Sequence, residues 1–574
     1  MATKNPGGWN TMKINIPQSP TENTKFDDLS TQKNAIHASI IYNPNFSGTI
    51  KWRVLFWRAD SPETSTPQDA VMTRIWNPNF EDPFLSLSLG QERITIQKIT
   101  PWPTNPNFDP LPRLFCSGHS FLSDGKLLVV GGHIDNYYPF GRGSRFSYIY
   151  DPFDLVNTIE GKWKYATVEV DHEGYPQLIT GGRWYPTITP LPDGKMLAMS
   201  GYLEGSTSHN DPELLINRIP SLYDSDSMLW ADFPKEAEMP EEFTYNYYPE
   251  EPQIYPGVTY PAGHVIPYGD WAGLIMYSAF QPHAWTFNPD INYSGTFWNQ
   301  VTFDERPVNE GCCTVMLHIH PSDTVSRILT IGGVDPLHNP LDTVSMLEIN
   351  VDYAEWINLE PLSFARNHAN AILLPDGTVL VLGGNKSEQY YSPVLNAEIF
   401  DPETGNWTLL PEMQFARNYH STAVLMPDGR IWMSGGDFRF YTDPTNLIRQ
   451  MNNIEIYTPG YLLEGDRPTI TAHDSTLTYN TNFHFTTDIP IEKAILIRPG
   501  STTHAFDQNQ RAVFVEITRH QIIGPTEHRY TATAPLDGNV APKGVYMLFV
   551  TLAKEASTSG LTAIPSVAQF VSIS

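Results

Sequence analysis

The sequence predicts an all-β chain, a seven-bladed β-propeller followed by an immunoglobulin-like β-sandwich. Three observations carry that expectation. A strand–turn–strand unit recurs along most of the chain, the recurrence stops near residue 466, and the remaining tail reads as short alternating strands.

The recurring unit is clearest in RLFCSGHSFLSDGKLLVVGG (113–132), RWYPTITPLPDGKMLAMSG (183–201), ARNHANAILLPDGTVLVLGG (365–384) and ARNYHSTAVLMPDGRIWMSGG (416–436). Each is a strand, an Asp-Gly turn and an apolar strand, mostly ending in Gly-Gly; Asp-Gly suits a hairpin because both residues tolerate positive φ. A third strand follows in each: YIYDP (148–152), LYDSD (222–226), EIFDP (398–402) and EIYTP (455–459). A fourth often carries Trp, as in GKW (161–163) and GNW (405–407). Looser copies lie at 35–79, 260–289 and 311–349. Seven units of four strands are the pattern of a propeller, here placed over 35–463. The last unit lacks its own Trp strand, whereas GGWNTMKINI (7–16) has no unit before it. The strand at 7–16, within the segment 1–34, is therefore expected to complete the seventh blade and close the ring. In the tail, KAILIRPG (493–500), RAVFVEI (511–517) and GVYMLFV (544–550) fit a sandwich over 466–574.

Composition narrows the function. A formal charge of −27 opposes nucleic-acid binding, which draws on clustered Lys and Arg. No apolar run approaches membrane-spanning length, and MATKNPGGWNTMKINIPQ has no apolar core of an export signal. Three cysteines, Cys116, Cys312 and Cys313, are too few for a disulfide framework.

Counting back eight residues from the Asp of each clear Asp-Gly turn gives Cys116, Tyr185, His368 and His420. The looser units offer His37, Tyr260 and either Cys312 or Cys313 at that place. Equivalent positions on innermost strands ring the central channel, so side chains distant in sequence face one axis. Each residue singly has a structural explanation: a buried Cys is usually a small hydrophobe, and a Tyr or lone His usually packs or bridges. Their recurrence at one repeat position, with Tyr419 beside His420, points instead to a metal. Copper(II) favours a tetragonal nitrogen–oxygen set. A second imidazole is available from His504, in the polar loop STTHAFDQNQR (501–511) of the tail.

In these motifs the chain resembles the copper-radical oxidases, the galactose oxidase and glyoxal oxidase family, with seven kelch-type blades and a C-terminal sandwich. The Cys of FCSGHS, the Tyr of GRWYPT, the Tyr-His of ARNYHS and the His of TTHAFDQNQR carry the resemblance, and the Arg-Trp-Tyr-Pro-Thr form leans toward the glyoxal oxidase branch. The resemblance implies a thioether joining Cys116 to Tyr185, with the modified Tyr185 binding copper and holding a radical. It implies His420 and His504 as imidazole ligands and Tyr419 as the axial phenolate and base. It further implies oxidation of a primary alcohol or hydrated aldehyde, small or carbohydrate, with reduction of O₂ to hydrogen peroxide. A monomer working outside the cytoplasm is the matching expectation. Where galactose oxidase stacks a Trp over the thioether, this chain reads SGYLEG (200–205), leaving Tyr260, Trp285 and Trp298 as candidate aromatics. The resemblance assigns no role to His368 or to the Cys312–Cys313 pair. The alternatives are a galactose- or alcohol-type specificity, or a propeller that only binds glycan or protein.

Overall fold

The computed structural model describes residues 7–12, 35–46, 48–57, 72–76, 78, 95–98, 114–133, 143–155, 161–167, 177–203, 216–248, 251–256, 259–278, 283–302, 311–335, 337, 339–387, 391–438, 449–450, 454–556 and 563–574. They form seven four-stranded antiparallel blades and a C-terminal domain built on a curled sheet. Blade 2 shows how the repeat folds. Gly118–Phe121 pairs with Leu127–Val130 through the turn at Asp124-Gly125, where Gly125 adopts φ +83° and Asp124 accepts the Lys126 amide hydrogen at 3.1 Å. Ser147–Asp151 and Lys162–Tyr165 complete it outward. Every residue of the three inner strands is buried, whereas the outer strand alternates. That gradient reflects blades packing face to face, with only the outer rim meeting water.

The seventh blade combines Ser421–Leu425, Ile431–Gly435 and Ile454–Thr458 with Gly8–Met12 as its outermost strand. Gly8 pairs with Thr458 and Met12 with Ile454, so a segment from the start of the sequence locks onto a strand from far along it.

The C-terminal domain runs as one sheet through 470–473, 482–487, 527–533, 512–524, 493–497, 544–551, 569–573 and 476–477. Ala512–Gly524 makes the fold: Ala512–Val515 pairs with Ile497–Ala494, and Glu516–Gly524 pairs with the neighbour on the other side, so one long strand serves both faces. The domain is welded to the propeller by shared cores. Ile495, Phe514, Met547 and Phe549 pack with Leu373, Leu380 and Leu425, while Leu496, Val513 and Tyr546 pack with Ile266, Met316 and Ile328.

From this domain the hairpin Ser501–Thr503 and Phe506–Asp507 enters the propeller and continues the sheet of blade 1. His37 pairs with Thr503, Ala38 with Thr502 and Ser39 with Ser501. The tip of this hairpin, His504-Ala505, turns with φ of +48° and +67°.

Candidate metal centre

The ring position of the repeat has a backbone signature. Cys116, Tyr185, Tyr260, His368 and His420 all have φ between +48° and +69°, the left-handed region that non-glycine residues enter at a cost. Main-chain hydrogen bonds between neighbouring blades hold three of them there: the Tyr185 amide donates to the Cys116 carbonyl at 2.9 Å, Tyr260 to Tyr185 at 2.9 Å and His368 to Gly311 at 2.6 Å. In blade 5 the ring residue is Gly311, with φ +67°, and not Cys312 or Cys313. Counting from a loose repeat overshot by one or two residues. Cys312 packs with Ala262 and Phe506, and the Cys313 thiol faces the Ile331 carbonyl.

Buried Arg residues brace the segments leading into the ring. The Arg417 guanidinium donates to Glu455 at 2.8 Å and to the Gly435 carbonyl at 2.8 Å. Arg366 is held the same way by Glu398, and Arg183 donates to Ser221 Oγ at 2.8 Å.

On this frame Cys116, Tyr185, Tyr419, His420 and His504 converge. The Tyr185 and Tyr419 hydroxyls lie 3.1 Å apart, and the Cys116 sulfur is 3.4 Å from His504 Nε2. One ligand atom from each of Cys116, His420 and His504 lies within 4.8 Å of the others. The His420 and His504 rings stand nearly perpendicular, 4.8 Å between centroids. His504 packs at 5.1 Å from Tyr185 and 5.3 Å from Tyr419. The five residues predicted from sequence therefore share one pocket of the channel.

The donor set fits a metal. His420 Nδ1 donates to Asp437 Oδ2 at 2.7 Å, which leaves the lone pair on Nε2, and that buried atom has no hydrogen-bond partner among the described residues. An imidazole oriented by a carboxylate with its second nitrogen unspent is the usual arrangement of a ligand histidine. His504 Nδ1 lies 2.6 Å from Thr503 Oγ1, which likewise turns Nε2 inward. The two imidazoles and two phenols are the nitrogen–oxygen set that suits copper(II).

Without a cation the site resists ionisation. Burial raises the Cys116 thiol and the Tyr185 phenol well above their ordinary pKa values, and the proximity of Cys116 and Tyr419 raises Tyr185 further. Burial holds His504 neutral, reinforced by His420, His368 and His119 around it. A bound cation reverses this, because its charge repays deprotonation of a phenol.

Of the aromatics expected near Tyr185, Tyr260 is there, at 5.3 Å and edge-on, and also at 4.7 Å from His504. Trp298 is not: it packs against Phe287 and donates to the Ala237 carbonyl in the core beside blade 4, and Trp285 lines the same core. Both belong to the ordinary interior of the repeat. Trp184 is the aromatic that sequence reasoning passed over, although it adjoins Tyr185; its ring lies 4.6 Å from Tyr185 and 5.5 Å from Tyr202. Asp437 was also missed; as the residue directly after the Gly-Gly of the seventh blade, its position in the repeat was the available signal. His368, left without a role, sits 5.0 Å from Tyr419, and burial lowers it to about 4.

Comparison with known proteins agrees with these features. Residues 334–461 match the family model "Glyoxal oxidase N-terminus", and 467–573 match "Galactose oxidase-like, Early set domain". The chain is 28% identical over 478 residues to a WSC domain-containing protein of Arthroderma benhamiae, covering 80% of this chain and 46% of that protein. It is 24% identical over 507 residues to aldehyde oxidase GLOX of Vitis pseudoreticulata, covering 80% and 82%. It is 31% identical over 198 residues to galactose oxidase of Gibberella zeae, covering 33% and 28%. The chain thus spans about half the length of the Arthroderma protein and under a third of the galactose oxidase. A copper-bound fungal alcohol oxidase of the AA5 family has the same fold, with a TM-score of 0.67, 20% identity, and 99% and 100% of the two chains covered.

Proposed function

We propose that this chain, a relative of the glyoxal and galactose oxidases, is a copper-dependent oxidase that acts on primary alcohols, hydrated aldehydes or both. The observation that carries the proposal is the unspent, Asp437-oriented His420 Nε2 facing His504 and the paired phenols of Tyr185 and Tyr419. Tyr185, Tyr419, His420 and His504 would hold the ion. When bound, copper would supply a one-electron acceptor and a positive charge that makes a coordinated hydroxyl more acidic.

The chain's own groups do the rest. Oxidation of a carbinol to a carbonyl removes two electrons and two protons, and reduction of O₂ to H₂O₂ consumes both. Tyr419, ionised, takes the hydroxyl proton of the substrate as a general base. Tyr185, as a radical, takes the hydrogen on carbon and so holds one of the two electrons. A sulfur substituent on its ring makes that radical easier to reach, which is the use of Cys116. The thioether forms when the Cys116 S–H and one ring C–H of Tyr185 are replaced by an S–C bond, the two hydrogens passing to O₂. The inter-blade bond from the Tyr185 amide to the Cys116 carbonyl supports this pairing by fixing the two backbones together.

Peptide mapping by mass spectrometry after aerobic copper loading tests the proposal. A species joining the Cys116 and Tyr185 peptides, two hydrogens lighter than their sum, is the expected result. Unlinked peptides at full copper occupancy would overturn the radical chemistry. Peroxide release across alcohols and aldehydes then separates the two substrate classes.

A further inference from the structure

Cys116 departs from its ring neighbours in one respect. The Tyr185, Tyr260 and His368 amides each donate to a main-chain carbonyl of the ring residue before them. The Cys116 amide instead donates to a side chain, His37 Nε2, at 3.0 Å. Where the hydrogen bonds between blades pass from blade 1 to blade 2, an imidazole stands in for a carbonyl.

That imidazole is fully buried and has one workable tautomer. Nε2 accepts, so the ring hydrogen is on Nδ1, 3.1 Å from His119 Nε2. His119 must then carry its hydrogen on Nδ1, which lies 2.6 Å from Ser501 Oγ. Ser501 opens the hairpin that delivers His504, three residues on. Gln508, which closes the hairpin, accepts from the His119 amide at 3.0 Å and from the Ile188 amide at 2.9 Å. Trp57 stacks flat on His37 at 4.8 Å and donates its indole hydrogen to the Leu114 carbonyl at 3.1 Å.

We propose that His37 is the positioning residue for Cys116: it fixes the left-handed backbone of Cys116 against Tyr185 and, through His119, registers it to the hairpin bearing His504. His37 binds no metal in this arrangement, because both its nitrogens are spent on hydrogen bonds. Its contribution is to hold the sulfur where it reaches the Tyr185 ring. The inference rests on the cross-link proposed above.

The test is the rate of cross-link formation on aerobic copper loading, followed by mass, with copper stoichiometry measured beside it. His37→Phe keeps a ring to stack on Trp57 but removes the acceptor. His37→Gln restores an acceptor at similar reach, and the His37→Asn side chain is too short to do so. His37→Phe and His37→Asn should bind copper at wild-type stoichiometry yet cross-link about tenfold more slowly or worse, since misplacement of reacting groups by an ångström can cost up to about a hundredfold. His37→Gln should recover part of the rate. Cross-linking of His37→Phe at the wild-type rate overturns the inference and leaves the oxidase reading intact. Should His37→Phe not fold, a wild-type rate in His37→Asn overturns it equally. Failure of the wild-type chain to cross-link sinks the underlying reading itself.

Discussion

At the scale of the residue, the centre depends on side chains that no ligand motif contains. Asp437 sets the tautomer of His420 from the short strand Asp437–Phe438 that follows their hairpin, and its amide donates to the Tyr419 carbonyl at 2.7 Å, so one residue holds both members of the Tyr-His pair. Asp437→Ala should weaken copper binding about 10–100-fold, the usual effect of losing a partner behind a ligand histidine, as measured by competition with a chelator. Tyr419→Phe removes the proposed base while sparing Tyr185. Turnover should fall by about 10²–10⁴-fold with the cross-link mass unchanged, and an unchanged rate would remove Tyr419 from that role. Three of the five site residues were legible in sequence because a repeat makes position countable: eight residues before Asp124, Asp193 and Asp428 stand Cys116, Tyr185 and His420, whereas Tyr419 was read from its place beside His420 and His504 from the tail motif. The groups behind them were not. Spacing marked the positions of Asp437 and His37 but not their roles: Asp437 and Thr503 act through hydrogen-bond direction, and His37 acts through a contact across blades.

At the scale of the element, the blades approach more closely than side chains normally permit. A β-carbon at Gly118 would lie 2.5 Å from the Pro186 carbonyl oxygen, although the glycine's own φ lies outside the left-handed region. Its absence of a side chain lets the strand after Cys116 press against the strand after Tyr185. Gly118→Ala should therefore part blades 2 and 3, destabilise the protein by about 1–3 kcal/mol, and slow cross-linking more than copper uptake. Differential scanning calorimetry and peptide mapping would record the two effects, and equal slowing of both would contradict the account. Strand order was readable because the Asp-Gly turns and alternating apolar runs are local signals. The insertion of Ser501–Thr503 beside His37–Tyr42 was not, since pairing between strands more than four hundred residues apart leaves no periodic trace. Sequence identified a hairpin loop bearing His504, and the structure makes that hairpin an extension of the blade 1 sheet with His504 at its turn.

At the scale of the whole molecule, the interior stores neutral imidazoles. Burial lowers His119 and His264 to about 3 and His318 and His368 to about 4. The unfolded chain protonates these groups near pH 6.5 while the folded chain does not, so unfolding takes up protons and stability falls as pH drops from 6.5 toward 4. Asp507 opposes the trend: burial raises it to about 6, so it binds its proton in the folded state first and gains stability over the same window. Four imidazoles outweigh one carboxyl. The copper-free protein should lose thermal stability steadily below pH 6.5, at up to about 1.4 kcal/mol per pH unit for each net proton, in a melting series from pH 7 to 4. A flat profile would contradict the burial of these rings. The pairing of Gly8–Met12 with Ile454–Thr458 has a consequence of another kind, in the order of synthesis. Gly8–Met12 leaves the ribosome well before its partner Ile454–Thr458 and waits for it, on the order of 20–90 s at ~5–20 residues per second. His504 emerges later still. An unfinished chain is an open arc with its candidate ligands apart, so the cross-link proposed above could form only in chains whose translation has passed the whole propeller.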